Sequence, residues 1–178
     1  MTRIIAGERK GLKLNNPPGR TIRPTTDRVK EWIFSVLYNV GDLTVLDLYC
    51  GAGNLGLEAL SRGASHCTFV DNSSRSISLT KSNVSLSRLS DNSAVVQSDV
   101  FKYLQRTKNS FDLIFADPPY KSAKPAMLIP LVCERLTPGG LLIFEGASPV
   151  ETDLSDPYEI LRSKSMGRTV VSIIGATS

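Results

Sequence analysis

Asp117-Pro118-Pro119-Tyr120 follows directly on the apolar run Phe111-Asp112-Leu113-Ile114-Phe115-Ala116. A carboxylate, a rigid carbonyl and an aromatic face at the end of a strand suit chemistry on an exocyclic amine of a planar ring. Such an amine is a poor nucleophile, because its lone pair is delocalised into the ring, and removing a proton first is costly. Two acceptors offer an easier route: the Asp117 carboxylate and the Pro118 carbonyl can draw the amino group toward tetrahedral geometry. The lone pair is then aimed at an electrophile, and Asp117 stabilises the charge that develops on nitrogen. Pro118 and Pro119 fix φ, so the carbonyl is set before a base arrives. Tyr120 offers a face for stacking, worth about 1–3 kcal/mol per base. A base inside a helix would first have to leave its stack. The same four residues could serve as a plain turn; their place after a strand and downstream of a second motif argues for chemistry.

That second motif is Asp47-Leu48-Tyr49-Cys50-Gly51-Ala52-Gly53-Asn54-Leu55-Gly56. Its glycines fit a turn between strand and helix where a backbone approaches a nucleotide closely. A dinucleotide pyrophosphate would want positive potential here, and Asp47 is an unwelcome neighbour for it. S-adenosylmethionine carries an ammonium and a sulfonium, so an acidic group is useful to it. The candidate cofactor-binding residues are therefore Asp47, Gly51, Gly53, Asp71, Asp99 and Asp117. Asp71 closes the next strand and can accept hydrogen bonds from ribose hydroxyls. Asp99 can meet an adenine amino group or simply cap the helix that follows. Methylation of a pyrimidine carbon would need a cysteine nucleophile. Cys50 sits in the cofactor loop and Cys133 on a helix, so that chemistry is discounted. The two motifs together point to an S-adenosylmethionine-dependent methyltransferase acting on a base.

From Leu43 onward, strands and helices alternate. Strands are expected at Thr44–Leu48, Cys67–Val70, Ala94–Gln97, Leu113–Ala116 and Leu141–Glu145. Helices are expected at Leu55–Arg62, Ser74–Leu89, Phe101–Gln105 and Pro125–Leu136, with Gly63 and Gly139 as helix stops. Continuously apolar strands and right-handed crossovers predict a mostly parallel, doubly wound α/β sheet of the Rossmann-like type. Glu159–Arg162 and Arg168–Ile174, joined by Ser163–Gly167, read as a final antiparallel hairpin. Before the sheet, Val29, Trp32, Ile33, Val36, Leu37 and Val40 recur at helical spacing, with Thr25 or Thr26 as cap and Trp32 read as core. Earlier still, Arg3–Gly7 and Gly11–Leu14 read as a short β-hairpin with Glu8-Arg9-Lys10 at its tip. The expected division is a basic N-terminal arm over residues 1–24 and a methyltransferase domain over 25–178.

A chain of 178 residues suits one such domain. Cys50, Cys67 and Cys133 show no metal-ligand spacing, and the single His66 lies in a strand, so no metal site or histidine-based triad is expected. The start lacks a signal-peptide core, no stretch is apolar enough to span a membrane, and a cytoplasmic protein is expected. Residues 1–34 hold eight basic and three acidic side chains, a net of +5, against 13 basic and 14 acidic in the remainder. The excess positive charge is thus N-terminal, as phosphate contact requires, although a solvated basic surface would look the same.

Four stretches resemble the bacterial RsmD family: Arg3–Gly7, Arg23-Pro24-Thr25-Thr26-Asp27-Arg28-Val29-Lys30-Glu31, Asp47 through Ala64, and Asp117–Tyr120. The arginine-proline-threonine segment and Leu57–Ala64 are more specific than the glycines. The resemblance implies methylation of guanine N2 in 16S ribosomal RNA, in the small subunit or its assembly intermediate, by a monomer using S-adenosylmethionine. It implies Asp117 and Tyr120 at the amino-group site, Asp71 at the donor ribose, and an RNA-contacting hairpin; with the Pro118 carbonyl, Asp117 and Tyr120 make up the candidate catalytic residues. Arg9, Lys10, Arg23, Arg28 and Tyr120 are the candidate substrate contacts. Departures are Tyr49-Cys50 for phenylalanine-alanine, Asn54 for a small residue, and Tyr120 for a common phenylalanine. Three alternatives stay open: a DNA adenine-N6 or cytosine-N4 methyltransferase, a non-catalytic RNA-binding assembly factor, and a nicotinamide oxidoreductase. A DNA enzyme would usually need a target-recognition region, for which this length leaves little room. Asp47 and Asp-Pro-Pro-Tyr weigh against the last.

Overall fold

The computed structural model describes residues 2–16, 26–119, 124–151, 154 and 156–176. Its frame is a seven-stranded sheet: β1 (Thr44–Leu48), β2 (His66–Asp71), β3 (Ser93–Gln97), β4 (Phe111–Ala116), β5 (Leu136–Gly146), β6 (Tyr158–Met166) and β7 (Thr169–Ala176). The order is β3-β2-β1-β4-β5-β7-β6. The first five strands are parallel, and β7 enters antiparallel between β5 and β6. The expected mixed α/β sheet is therefore the one that forms. Its helices are α1 (Asp27–Leu37), α2 (Asn54–Ser61), α3 (Ser74–Ser87), α4 (Val100–Arg106) and α5 (Pro125–Cys133).

Both faces of the sheet are covered over its central strands, which is why those strands are apolar throughout, whereas the edge strand β6 is exposed. Val45, Phe69, Leu113, Phe115 and Ile143 meet Ile33 and Phe34 of α1 and Leu57 of α2 on one side. Leu46, Val70, Ile114 and Leu142 meet Leu104 of α4 and Ile129 of α5 on the other. Thr26, the second of the two threonines considered, caps α1 by accepting from Val29 N–H. Asp27 then sits in the first turn, where negative charge favours the helix. The serine-rich α3 forms as expected: Ser73 caps its start by accepting from Ser76 N–H.

Two expectations change. Gly139 does not stop a helix; α5 ends at Cys133, and Gly139, with φ 78°, lies inside β5. There the pairing advances two residues along β4, Phe111 to Leu113, against five along β5, Leu136 to Leu141. A left-handed glycine lets β5 bulge where the periodicity suggested a helix end. The final hairpin is also longer than expected, closing through Gly167-Arg168 with Gly167 at φ 70°. Ser163 to Ser165 read as a loop by composition, but pairing with Ser172 to Val170 holds them in the ladder. Tertiary pairing outweighs weak strand propensity there.

The N-terminal hairpin closes with a single antiparallel bridge, Arg3 to Lys13, and lies against the body. Ile5 and Ala6 donate their N–H groups to the Glu58 carboxylate, and Glu8 N–H donates to Ser61 O at 2.7 Å. Gly7, at φ 80°, passes so near α2 that a Cβ there would fall 1.8 Å from Ser61 O. No helix of the described residues is long and apolar enough to cross a membrane.

Candidate active site

The candidate site residues gather at the carboxyl ends of β2, β1 and β4. Leu48 pairs with Val70 on one side and Ala116 on the other. The next residues of the three strands, Asp71, Tyr49 and Asp117, therefore share one rung. This is also where the chain reverses its direction of travel across the sheet, running outward from β1 to β3 and then from β4 to β5. Open α/β sheets bind ligands in the crevice at such a point.

Gly51 and Gly53 take φ of 56° and 78°, so the turn after β1 uses the left-handed freedom the motif suggested. The third glycine does something else. A Cβ on Gly56 would fall 2.4 Å from the Phe69 ring and 2.6 Å from Cys67 Sγ. Gly56 thus lets α2 pack closely on β2.

Asp47 is 3% exposed, and its one hydrogen bond among the described residues comes from Gly56 N–H at 3.0 Å. Burial pushes its carboxyl up to about 8, against the help of that bond, with the charges of Asp117 and Asp71 adding to the rise. Asp117 is half-buried, and desolvation raises it to about 6. Asp71 spends one oxygen on Gly51 N–H at 3.0 Å and the other on Ser73 N–H at 2.9 Å. A carboxylate oxygen has further lone-pair capacity, so these bonds leave room for hydroxyl donors. Asp99 is exposed and caps α4 by accepting from Lys102 N–H at 3.0 Å. Pro118 is buried and Pro119 exposed. Tyr120 and Arg23 lie outside the described residues.

Three carboxylates gather in this crevice; burial raises two of them, and for Asp47 the neighbouring carboxylate charges add to the rise. The arrangement suits a ligand that brings positive charge and hydroxyl donors. Asn54 supports the same fit: its Oδ1, beside the glycine turn, is buried without a hydrogen-bond partner among the described residues.

Residues 2–175 match the family model described as Conserved hypothetical protein 95. The chain belongs to that family. It is 37% identical to the Bacillus subtilis protein YlbH, provisionally named an rRNA methyltransferase, over 96% of this chain and 97% of that one. It is 33% identical to the Haemophilus influenzae protein named ribosomal RNA small subunit methyltransferase D, over 93% of this chain and 89% of that one. The solved Escherichia coli protein yhhF, provisionally titled a methyltransferase, superposes with a TM-score of 0.86 at 30% identity, covering 98% and 97% of the two chains. The fold is that of the class I methyltransferases, as the motifs implied.

In this member of the family, several site residues escaped the sequence reading. Thr80 of α3 donates its hydroxyl to Gly51 O at 2.9 Å, and Asn83 donates to Ala52 O at 2.9 Å. Asn83 also accepts from Asn15 N–H at 2.8 Å and donates to Asn15 O at 3.1 Å. One amide therefore ties the glycine turn to the N-terminal segment. These are polar residues at buried helix positions, a signal the serine-rich composition of α3 hid. Tyr49 takes φ 56°, rare for a side chain of its size. Burial, followed by the nearby Asp99 and Asp71 charges, pushes its phenol up to about 12.

The substrate candidates divide. Lys10 and Arg28 are exposed. Arg9 is half-buried, pairs with Glu8 at 3.1 Å and donates its backbone N–H to Ser61 Oγ. The charge count also needs one correction. Lys30, taken as part of the basic arm, is fully buried, 3.6 Å from Glu58 and 3.7 Å from Asp27, and donates to Arg3 O. Desolvation lowers its ammonium against the pull of both carboxylates. Its charge serves the interior. Arg3 is likewise paired, with Asp27 at 3.2 Å.

Proposed function

We propose that this chain is a ribosomal RNA methyltransferase that transfers the methyl group of S-adenosylmethionine to the exocyclic N2 of a guanine in 16S RNA. The observation that carries the reading is Asp117 at the end of β4, one strand from the glycine turn and charge-coupled to Asp47. Family membership and relatives named for rRNA methylation support the substrate class. The small ribosomal subunit, or an intermediate in its assembly, is the proposed setting, and a monomer the proposed active form.

Bound in the crevice, the donor supplies an electrophilic methyl on a sulfonium. Asp47 meets its ammonium, Asp71 the ribose hydroxyls and Asp99 the adenine amine, while Gly51 and Gly53 let the backbone come close. Asp117 and the Pro118 carbonyl accept from the guanine amine, bend it out of conjugation and fix its lone pair in line. Asp117 in its ionised form then balances the charge that grows on nitrogen. Tyr120 stacks on the base. Arg9, Lys10, Arg23 and Arg28 meet phosphates, so residues 1–24 act with the start of α1 as the RNA-facing arm of a domain that begins near residue 25.

The test is transfer of labelled methyl from S-adenosylmethionine to small subunits lacking native methylation, with deproteinised 16S RNA and duplex DNA in parallel. Label recovered as N2-methylguanosine from RNA is the expected result. Label in DNA instead would replace the reading with an amino-methyltransferase of DNA. Donor binding without transfer to any of the three would leave a non-catalytic RNA-binding role.

A further inference from the structure

The reading above leaves a second basic surface unused, on the opposite side of α1 from the N-terminal hairpin. Arg162 and Lys164 alternate along the edge strand β6, and Arg168 stands in the turn to β7. All three are exposed, and none enters an ion pair among the described residues. Lys164 and Arg162 pair with Val171 and Ile173, which pack in the core beneath Ile33 and Phe34 of α1. The two cations therefore rise on the α1 face of the sheet. The Lys164 ammonium lies 5.5 Å from the centroid of the Trp32 ring, a cation–π contact. Arg28, also exposed, precedes Trp32 by one helical turn and shares its side of α1.

The strand register sets this strip against the chemistry. Ala116 pairs with Phe144, Phe144 with Ser172, and Ser172 with Ser163. One residue further along the same carboxyl edge stand Asp117 on the β4 side and Lys164 on β6. They are three strand spacings apart, roughly 14 Å at about 4.8 Å each.

We propose that Trp32, Arg162, Lys164 and Arg168 form a second contact surface for the RNA backbone, continuous with Arg28 of the first and flanking the modified base on the side away from the hairpin. The proposal rests on the RNA-methyltransferase reading and extends it to the C-terminal hairpin, where the sequence motifs assign nothing. Cations on an edge strand also discourage strand-on-strand pairing. That role needs neither Arg168 in the turn nor an ammonium held over an indole. A phosphate track explains both: the ring fixes Lys164 at the catalytic edge, and Arg28 and Arg168 continue the positive strip on either side of it.

The experiment uses the full chain and its Arg162→Gln/Lys164→Gln/Arg168→Gln variant, with Arg106→Gln/Lys108→Gln, both exposed where α4 leads into β4, as control. Binding to deproteinised 16S RNA is titrated between about 50 and 200 mM salt, and Trp32, the single tryptophan, reports by its emission. The triple variant should bind about tenfold or more weakly, with a salt slope lower by about two, while the control keeps both. Donor affinity should hold in both variants, and Trp32 emission should change on RNA addition in the unsubstituted chain. An unchanged slope in the triple variant, beside a steep one in the unsubstituted chain, would overturn the surface and leave the proposed function standing. Normal binding to naked RNA with weakened binding only to small subunits would overturn it too, in favour of a ribosomal-protein contact. An unsubstituted chain that neither binds nor methylates the RNA would remove the function and the surface together.

Discussion

Asp47 and Glu58 are buried carboxylates eleven residues apart, on consecutive elements of the same crossover, and they live in opposite surroundings. Glu58 accepts from Ile5 N–H at 2.8 Å, Ala6 N–H at 3.0 Å and Arg62 Nε at 2.8 Å, with the Lys30 ammonium at 3.6 Å. Asp47 has one backbone donor and two carboxylate neighbours, and its proton is held up to about 8. A buried charge is costly unless paired and hydrogen-bonded. Glu58 has its complement inside the chain, and so fastens the hairpin and α1 to α2. Among the described residues Asp47 has none, and under the proposed function the ammonium of the donor would provide it. The contrast separates a carboxylate that holds the fold from one that the proposed function gives to a ligand.

Breaking the contrast should give effects in a definite order. Asp117 belongs with Asp47, and Asp117→Ala should lower kcat about a thousandfold with donor affinity within about threefold. Single-turnover methyl transfer beside calorimetric donor binding checks this; lost donor binding with normal turnover of bound donor would remove Asp117 from the chemistry. Glu58→Gln leaves Lys30 buried with a weaker complement. Urea unfolding should then show a loss of about 3 kcal/mol, with donor-site chemistry intact in the folded fraction. Asp47→Asn should do the reverse: stability unchanged or raised by about 1 kcal/mol, and donor affinity down about tenfold.

The finest test is pH. A free Asp47 near 8 is mostly protonated at neutral pH, whereas an ammonium partner favours its ionised form. Donor affinity should therefore rise as pH climbs toward about 8 and level off above it, with up to one proton released per donor bound. Calorimetry in buffers of different ionisation enthalpy measures that release, and Asp47→Asn should abolish it. Turnover at saturating donor should separately fall below about 6, as Asp117 becomes protonated.

The glycine turn, the Asp-Pro-Pro corner and the five parallel strands were legible because each depends on local residue types and on a period set by covering both faces of the sheet. Gly139 was misread because a glycine after an apolar helix looks the same whether it ends the helix or bulges the next strand. Lys30 was counted as surface charge because nothing in its neighbourhood of sequence announces Glu58, nearly thirty residues on. Thr80 and Asn83 were missed for the same reason. Their partners, the carbonyls of Gly51 and Ala52, become neighbours only once α3 has folded back over the turn. Composition and spacing report on chain-local needs, and long-range complementarity leaves little trace there.

The place of β7 between β5 and β6 bears on how the molecule comes into being. Strands are made in order, yet the last of these fills an interior gap, hydrogen-bonded on both sides. A nascent chain that has only just passed β6 holds a hairpin strand with no partner and a β5 edge open to solvent. Synthesis stalled before Thr169, or a protease cut near Gly167, would therefore cost the sheet its keystone rather than its margin. Such a chain would carry every carboxylate of the candidate site while remaining unable to close the platform beneath them.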